Sequence, residues 1–132
     1  MISMMRETMR TIDGDLPQMV QHDSVITIPG DSLPRHLTVW VQNDVIRKLM
    51  SVDTNATGVN NGETDIWFMG GDVAVVQQVA DIYAIDGGRI VLWTDQSFEP
   101  RGDITPQQLM ERETKLMNTA ATWAGVFGIT LP

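Results

Sequence analysis

The sequence predicts an α+β fold: an antiparallel β-meander of four to six strands, with an N-terminal helix and a C-terminal helix packed on it. Between residues 37 and 95, short apolar runs alternate with tight-turn residues. The clearest turn is Asp86-Gly87-Gly88, where glycine supplies the positive φ that a two-residue hairpin needs. After Thr105 the apolar spacing changes from two to three or four, which indicates a helix.

The first element is a predicted helix over residues 2–12. Its apolar side chains recur at helical spacing on one stripe, at Ile2, Met5, Met9 and Ile12. Gly14 lies in an Asp-Gly-Asp step that predicts a turn and the end of the helix. Pro17 favours a further helical turn over 16–20, because proline fits the first helical position.

The middle of the chain predicts strands of alternating apolar and polar residues. The predicted strands are 23–28, 36–42, 45–52, 63–69, 73–79, 82–85 and 89–94. Asn43-Asp44 predicts a two-residue turn, and the polar run 53–62 predicts a loop. The predicted C-terminal helix runs from a Thr105 cap, with Pro106 at its first position, to about residue 126.

Some of these strands are apolar on both faces. Ile66 and Phe68 alternate with Trp67 and Met69, and the same spacing places Ile90 and Leu92 opposite Val91 and Trp93. One helix layer cannot cover both sets, so the N-terminal helix, another subunit or a ligand must cover the second face. Because the N-terminal stripe is short, we expect a homodimer that buries Trp67 or Trp93.

Composition and charge narrow the possible functions. The 132 residues fit a single domain, 1–132, and 17 acids against 9 bases give a net charge of −8. This charge disfavours nucleic acid, and the chain lacks an apolar window long enough for membrane insertion. The N-terminal segment also lacks the apolar centre of a signal peptide. We therefore expect a cytoplasmic protein, or a periplasmic or secreted one if a leader has been removed.

Few residue patterns point to catalysis or to a cofactor. The chain has no cysteine, no nucleophile elbow and no phosphate loop, and its two histidines, His22 and His36, stand alone. The run from Asp53 begins like a calcium loop, but Thr64 occupies the position where a bidentate carboxylate is needed. We interpret this run as a hairpin loop and expect no metal and no cofactor; enzymatic activity stays open, and a non-enzymatic role is favoured.

The aromatic residues give the best sequence argument for binding. Trp67, Trp93, Trp40 and Tyr83 lie on separate strands and are predicted to form a surface for a ligand or a protein partner, including a second copy. The leading hypothesis is a non-enzymatic interaction or structural domain that acts through this sheet face. The alternative is a small-molecule binding protein or weak enzyme, with a pocket between sheet and helices near the carboxylates Glu63, Asp65 and Asp81.

Half of the chain resembles a loose class of small bacterial meander proteins, many of them secreted or lipid-anchored. The matching segments are Ile46-Arg47-Lys48-Leu49, Gly62-Glu63-Thr64-Asp65-Ile66-Trp67-Phe68, Asp81-Ile82-Tyr83-Ala84-Ile85 and Gly87-Gly88-Arg89-Ile90-Val91-Leu92-Trp93. Trp67-Phe68 stands where paired tyrosines are more usual, and no lipid-attachment cysteine is present. The resemblance implies the meander with a helix on either side, and it implies no activity.

Overall fold

Seven antiparallel strands form one meander, and a helix lies at each end of the chain. The computed structural model describes residues 1–27, 34–54 and 60–132. The elements are α1 (Ile2–Asp15), a 3₁₀ turn (Leu16–Gln18), β1 (Val20–Ile26), β2 (Arg35–Gln42), β3 (Val45–Thr54), β4 (Asn60–Met69), β5 (Asp72–Gln78), β6 (Asp81–Asp86), β7 (Arg89–Asp95) and α2 (Pro106–Val126). The strands pair in chain order from β1 to β7.

The predicted fold class is confirmed, but the predicted strand count of four to six is wrong. β1 pairs along its whole length with β2, from Val20 opposite Val41 to Ile26 opposite Arg35, so it belongs to the meander and is no separate strand. The sheet therefore has seven strands. Within the described ranges, neither helix combines the length and the apolar character needed to cross a membrane.

Each face of the sheet carries its own helix and its own apolar core. On the α2 face, Phe68 and Tyr83 are fully buried, and Leu116, Ala120 and Trp123 of α2 pack against this core. On the α1 face, Met5 and Ile12 of α1 join a second core with Trp67, Val75 and Ile82. Burial of each large apolar side chain contributes roughly 1.5–3 kcal/mol. The two layers together explain why strands such as β4 are apolar on both sides.

β-bulges change which residues share a face. The predicted alternation is correct at Ile66 and Phe68, which both lie in the α2-face core. It is wrong at Ile90 and Leu92. The register shifts beside Ile85 in the β6–β7 pair, which places Ile90 on the α2 face and Leu92 on the α1 face. An extra residue in one strand reverses the faces of all residues beyond it.

The helix boundaries follow from local interactions. α2 begins as predicted at a capping box, in which Thr105 accepts from the Gln108 backbone and the Gln108 side chain accepts from Thr105. α1 continues to Asp15, past the end predicted at Gly14. Burial of Ile12 and the contacts of Asp13 with the sheet hold this last turn in place, at the modest cost of one glycine in a helix.

Candidate functional site: a polar cleft between the sheet and the C-terminal helix

The structure separates the four aromatic residues predicted to form one binding surface. Trp40 and Trp67 belong to the α1 face, whereas Tyr83 and Trp93 belong to the α2 face. Trp67 is 2% exposed and Tyr83 is 0% exposed, so neither contributes area to a surface of this chain. The prediction of a shared platform is therefore corrected, because the alternation of the strands and the two helix layers place these side chains in two different cores.

On the α1 face, Trp40 and Trp67 surround the ammonium group of Lys48. The Lys48 Nζ lies 5.7 Å from the ring centre of Trp40 and 4.8 Å from that of Trp67. Asp13 of α1 accepts from Lys48 Nζ and from Trp67 Nε1, both at 2.8 Å, through the same carboxylate oxygen. This cluster is closed by its own contacts, and its evident role is to fasten α1 to the sheet.

Two of the predicted pocket carboxylates also lie near this cluster. Burial, followed by a hydrogen bond to Glu63, raises the pKa of Asp65 to about 7, although the charge of Lys48 opposes the rise. The third carboxylate, Asp81, forms an ion pair with Arg101 and lies on the Tyr83 side of the sheet. The predicted pocket of Glu63, Asp65 and Asp81 is therefore wrong, since these residues do not face one space.

On the α2 face, Tyr83 and Trp93 are neighbours, with ring centres 5.0 Å apart. Arg112 of α2 lies over both rings and donates to the Tyr83 hydroxyl. Burial raises the pKa of Tyr83, and the charge of Arg112 opposes this rise. These contacts join α2 to β6 and β7.

A polar cleft opens beside α2, where it crosses the ends of β2 to β5. Its volume is about 470 Å³. Five of its lining residues carry hydroxyl or amide groups: Thr64, Gln78, Asn118, Thr119 and Thr122. The charged residues that line it are Arg35, Asp53 and Lys115. The lining therefore offers many hydrogen-bonding groups and one excess positive charge, in a chain whose net charge is −8.

Arg35 and Asp53 form the most constrained part of this cleft. They are direct cross-strand neighbours of β2 and β3, and Arg35 Nη2 donates to Asp53 Oδ2 at 2.7 Å. Arg35 Nη1 donates to the buried Ser51 hydroxyl at 2.7 Å, and its guanidinium lies 5.0 Å from the ring centre of Trp123. The Arg35 side chain is only 14% exposed. These contacts fix the orientation of the guanidinium.

The Arg35–Asp53 pair leaves hydrogen-bonding capacity unused. Arg35 Nε and Asp53 Oδ1 are buried and have no hydrogen-bond partner among the described residues. A buried polar atom without a partner costs about 1–3 kcal/mol, and more when the group is charged. A polar molecule or an ordered water bound in the cleft would satisfy both the donor and the acceptor of this ion pair.

Sequence reasoning did not select Arg35 or the residues of α2 that line this cleft. One signal was present. Arg35 has the same parity as Leu37 and Val39, so it is an ion on the core-facing side of a strand. Asp53 was considered only as the start of a calcium loop, and residues 55–59 of that loop lie outside the described residues. The α2 contribution depends on tertiary packing, which the sequence does not show.

The histidines do not converge on this cleft. His22 is opposite Val39 in the sheet, and His36 lies 3.4 Å from Asp23 of β1. Among the residues that the structure describes, no three His, Cys, Asp or Glu side chains are grouped as a metal site requires. The cleft thus offers a ligand hydrogen bonds and charged groups.

Comparisons with protein-family models, with curated proteins and with solved structures found no match to this chain. The resemblance to small bacterial meander proteins therefore stays a prediction. Function has to be argued from the geometry of the clefts and surfaces themselves.

Proposed function

We propose that this chain is a small-molecule binding domain, which holds a polar ligand in the cleft between α2 and the sheet. The observation that carries the proposal is the partly buried Arg35–Asp53 pair, in which one buried donor and one buried acceptor have no partner among the described residues. Such groups bind well when their surroundings fix them in advance, because little conformational entropy is then lost on binding. Ser51, Asp53 and Trp123 fix Arg35 in this way.

The ligand chemistry follows from the lining. Hydroxyl and amide groups from the sheet and from α2 face the same space as Arg35 and Lys115. The pair of unused atoms favours a group that presents an acceptor and a donor side by side, such as an amide, a carboxylic acid or adjacent hydroxyls. The excess positive charge favours a neutral or anionic molecule over a cation.

Binding without turnover is the simpler interpretation of this cleft. A hydroxyl nucleophile needs an adjacent base. The described lining contains threonine hydroxyls but no histidine, and its carboxylate, Asp53, is already paired with Arg35. The proposal therefore keeps the non-enzymatic role that the sequence favoured.

The leading sequence hypothesis placed a protein partner on an aromatic sheet face. Helices of the same chain now account for the burial on both faces, so the proposal moves to the cleft. The expected homodimer stays a prediction. Sedimentation at micromolar concentration checks it.

Thermal-shift and NMR titrations test the cleft with a panel of sugars, hydroxy acids, amino acids and nucleosides. The variants Thr122→Val and Asn118→Ala alter exposed α2 residues that line the cleft. The matched control is Thr114→Val, an exposed threonine of the same helix that does not line it. We expect a ligand whose affinity falls roughly tenfold in either cleft variant and is unchanged in the control. The proposal fails if no member of the panel binds, or if the control weakens binding equally.

A further inference from the structure

A second concave surface lies on the opposite side of the molecule, and its chemistry is different. The methionine groove, as we call it, is formed by the N-terminal half of α1 and by the strand ends near the β4–β5 and β6–β7 turns, and has a volume of about 320 Å³. Met1, Met4 and Met5 line it from α1 and its N-cap, and Met69 and Val91 line it from the sheet.

Four apolar side chains of this groove are strongly exposed. Met1 is 62% exposed, Met4 67%, Met69 55% and Val91 46%. Single exposed apolar residues are ordinary, but a concave group of them marks a contact surface. Methionine suits such a surface, because its unbranched, polarizable side chain adapts to different apolar partners.

The charged side chains that line the groove have one sign. Asp72 and Asp86 are the only charged side chains among its described lining residues. Neither carboxylate forms an ion pair with a Lys, Arg or His side chain within 4.0 Å among the described residues. The groove thus combines an apolar floor with two carboxylates at its rim, within a chain of net charge −8.

We propose that the methionine groove docks a segment of another protein, one with apolar side chains flanked by lysine or arginine. An apolar anchor buries the methionine surface, and the flanking cations meet Asp72 and Asp86. A second copy of this chain is a poorer occupant, because it carries the same charge of −8. The groove lies on the α1 side of the sheet, so its use is independent of the cleft beside α2.

NMR of the chain labelled at the methionine methyl groups tests this proposal. The probe is a synthetic amphipathic peptide of leucine and lysine at helical spacing, and its matched control has glutamate in place of lysine. Met110 is an internal reference, since it is 64% exposed but lies on α2, away from the groove. We expect the lysine peptide to shift the Met4 and Met69 signals and to leave Met110 unchanged, and the glutamate peptide to shift none of them.

Variants then separate apolar contact from charge. Met4→Gln and Met69→Gln change exposed side chains, and each should weaken peptide binding roughly tenfold. Asp72→Asn combined with Asp86→Asn should weaken it and reduce its salt dependence. The cleft variant Thr122→Val should leave it unchanged, so failure of the groove and failure of the cleft are distinguishable.

Several results overturn the proposal. One is no binding of the lysine peptide, and another is equal binding of the glutamate peptide. Equal shifts at Met110 would show non-specific adhesion to exposed methionine. Saturable shifts at Met4 and Met69 with a neutral detergent, but none with the peptide, would assign the groove to an apolar small molecule.

Discussion

Lys48 and Asp13 join the sheet to α1 through one ion pair, with 2.8 Å between Nζ and Oδ1. The two partners are unequally exposed: the Lys48 side chain is 10% exposed and that of Asp13 is 44% exposed. Trp67 donates to the same oxygen, so Asp13 serves two buried donors at once. Removal of Asp13 should therefore affect stability differently from removal of Lys48.

We expect Asp13→Ala to lower the free energy of unfolding by about 3 kcal/mol, since it leaves a buried ammonium and the Trp67 indole N–H without an acceptor. Lys48→Met should cost less, about 1 kcal/mol, because water can solvate the carboxylate that remains. Urea denaturation of both variants and of the double variant measures the difference.

The control for this comparison is Asp15→Ala, at the end of the same helix. Asp15 makes no side-chain hydrogen bond or ion pair among those that the described residues show. We expect a change within about 0.5 kcal/mol. Equal losses in Asp13→Ala and Asp15→Ala would show that the helix terminus, and not the ion pair, determines the stability.

Asp65 should make stability fall as pH rises. Its pKa is about 7 in the folded chain against 3.8 for the ordinary group, so the folded state retains a proton that the unfolded state has lost. Stability from this group is complete below pH 3.8 and declines up to about pH 7. Asp65→Asn keeps the shape without the charge. We expect its advantage over the parent chain to be small at acidic pH and to grow as the pH rises to 8.

Urea denaturation at intervals between pH 4 and pH 8 tests this expectation. Glu63→Gln is a second test, because it removes a hydrogen bond and a negative charge that help to raise the pKa of Asp65, and it should reduce the pH dependence. A constant difference between Asp65→Asn and the parent chain across this range would contradict the raised pKa.

Local sequence signals were sufficient for most of the fold. The turn at Asn43-Asp44 has positive φ at both residues, 53° and 64°, as its hairpin position requires. The Thr105 cap and Pro106 start α2 as predicted. The exceptions depend on interactions distant in sequence. β1 became the seventh strand of the sheet because it pairs with β2. A bulge in the β6–β7 pair changed the faces of Ile90 and Leu92, and only the strand pairing reveals it.

The candidate sites were harder to predict, for a physical reason. Alternation shows that Trp67 and Trp93 are apolar strand residues, but not which of two helices covers each of them. The cleft requires Arg35 of β2 and Thr122 of α2, whose proximity depends on how the helix crosses the sheet. The methionine groove likewise brings Met4 and Met69 together. These two residues are far apart in the sequence, so the sequence alone does not predict their proximity.

Backbone strain should limit substitution at the β6–β7 turn. Gly87 and Gly88 have φ of 59° and 79°, as the Asp-Gly-Gly sequence predicts. A side chain at Gly88 would meet no atom within 4 Å, so the cost of Gly88→Val is conformational. We expect about 1 kcal/mol or more, because a β-branched residue is disfavoured at positive φ. Gly102→Val, also in open space but without positive φ, is the matched control in urea denaturation.

Hydrogen bonds from other parts of the chain cover one edge of the sheet, at β7. β7 is the last strand, and Arg101 N donates to Trp93 O at 2.9 Å while Asp95 N donates to Glu99 O at 2.9 Å. Near the start of β7, the backbone N–H of Ile90 donates to Glu113 Oε1 of α2 at 2.8 Å. An unpaired edge is a template for pairing with another chain, so these contacts protect this edge of the sheet.

Glu113→Ala should open this edge without removing apolar packing. The Ile90 N–H loses its acceptor, so we expect its hydrogen exchange to accelerate by at least roughly tenfold, and self-association to rise at high protein concentration. Glu113→Gln retains a carbonyl acceptor and should restore most of the protection. Glu111→Ala, an exposed acid on the same helix, controls for the loss of a negative charge. Unchanged exchange at Ile90 in Glu113→Ala would show that the Glu113 carboxylate does not protect this N–H, and that the surrounding chain shields it from water.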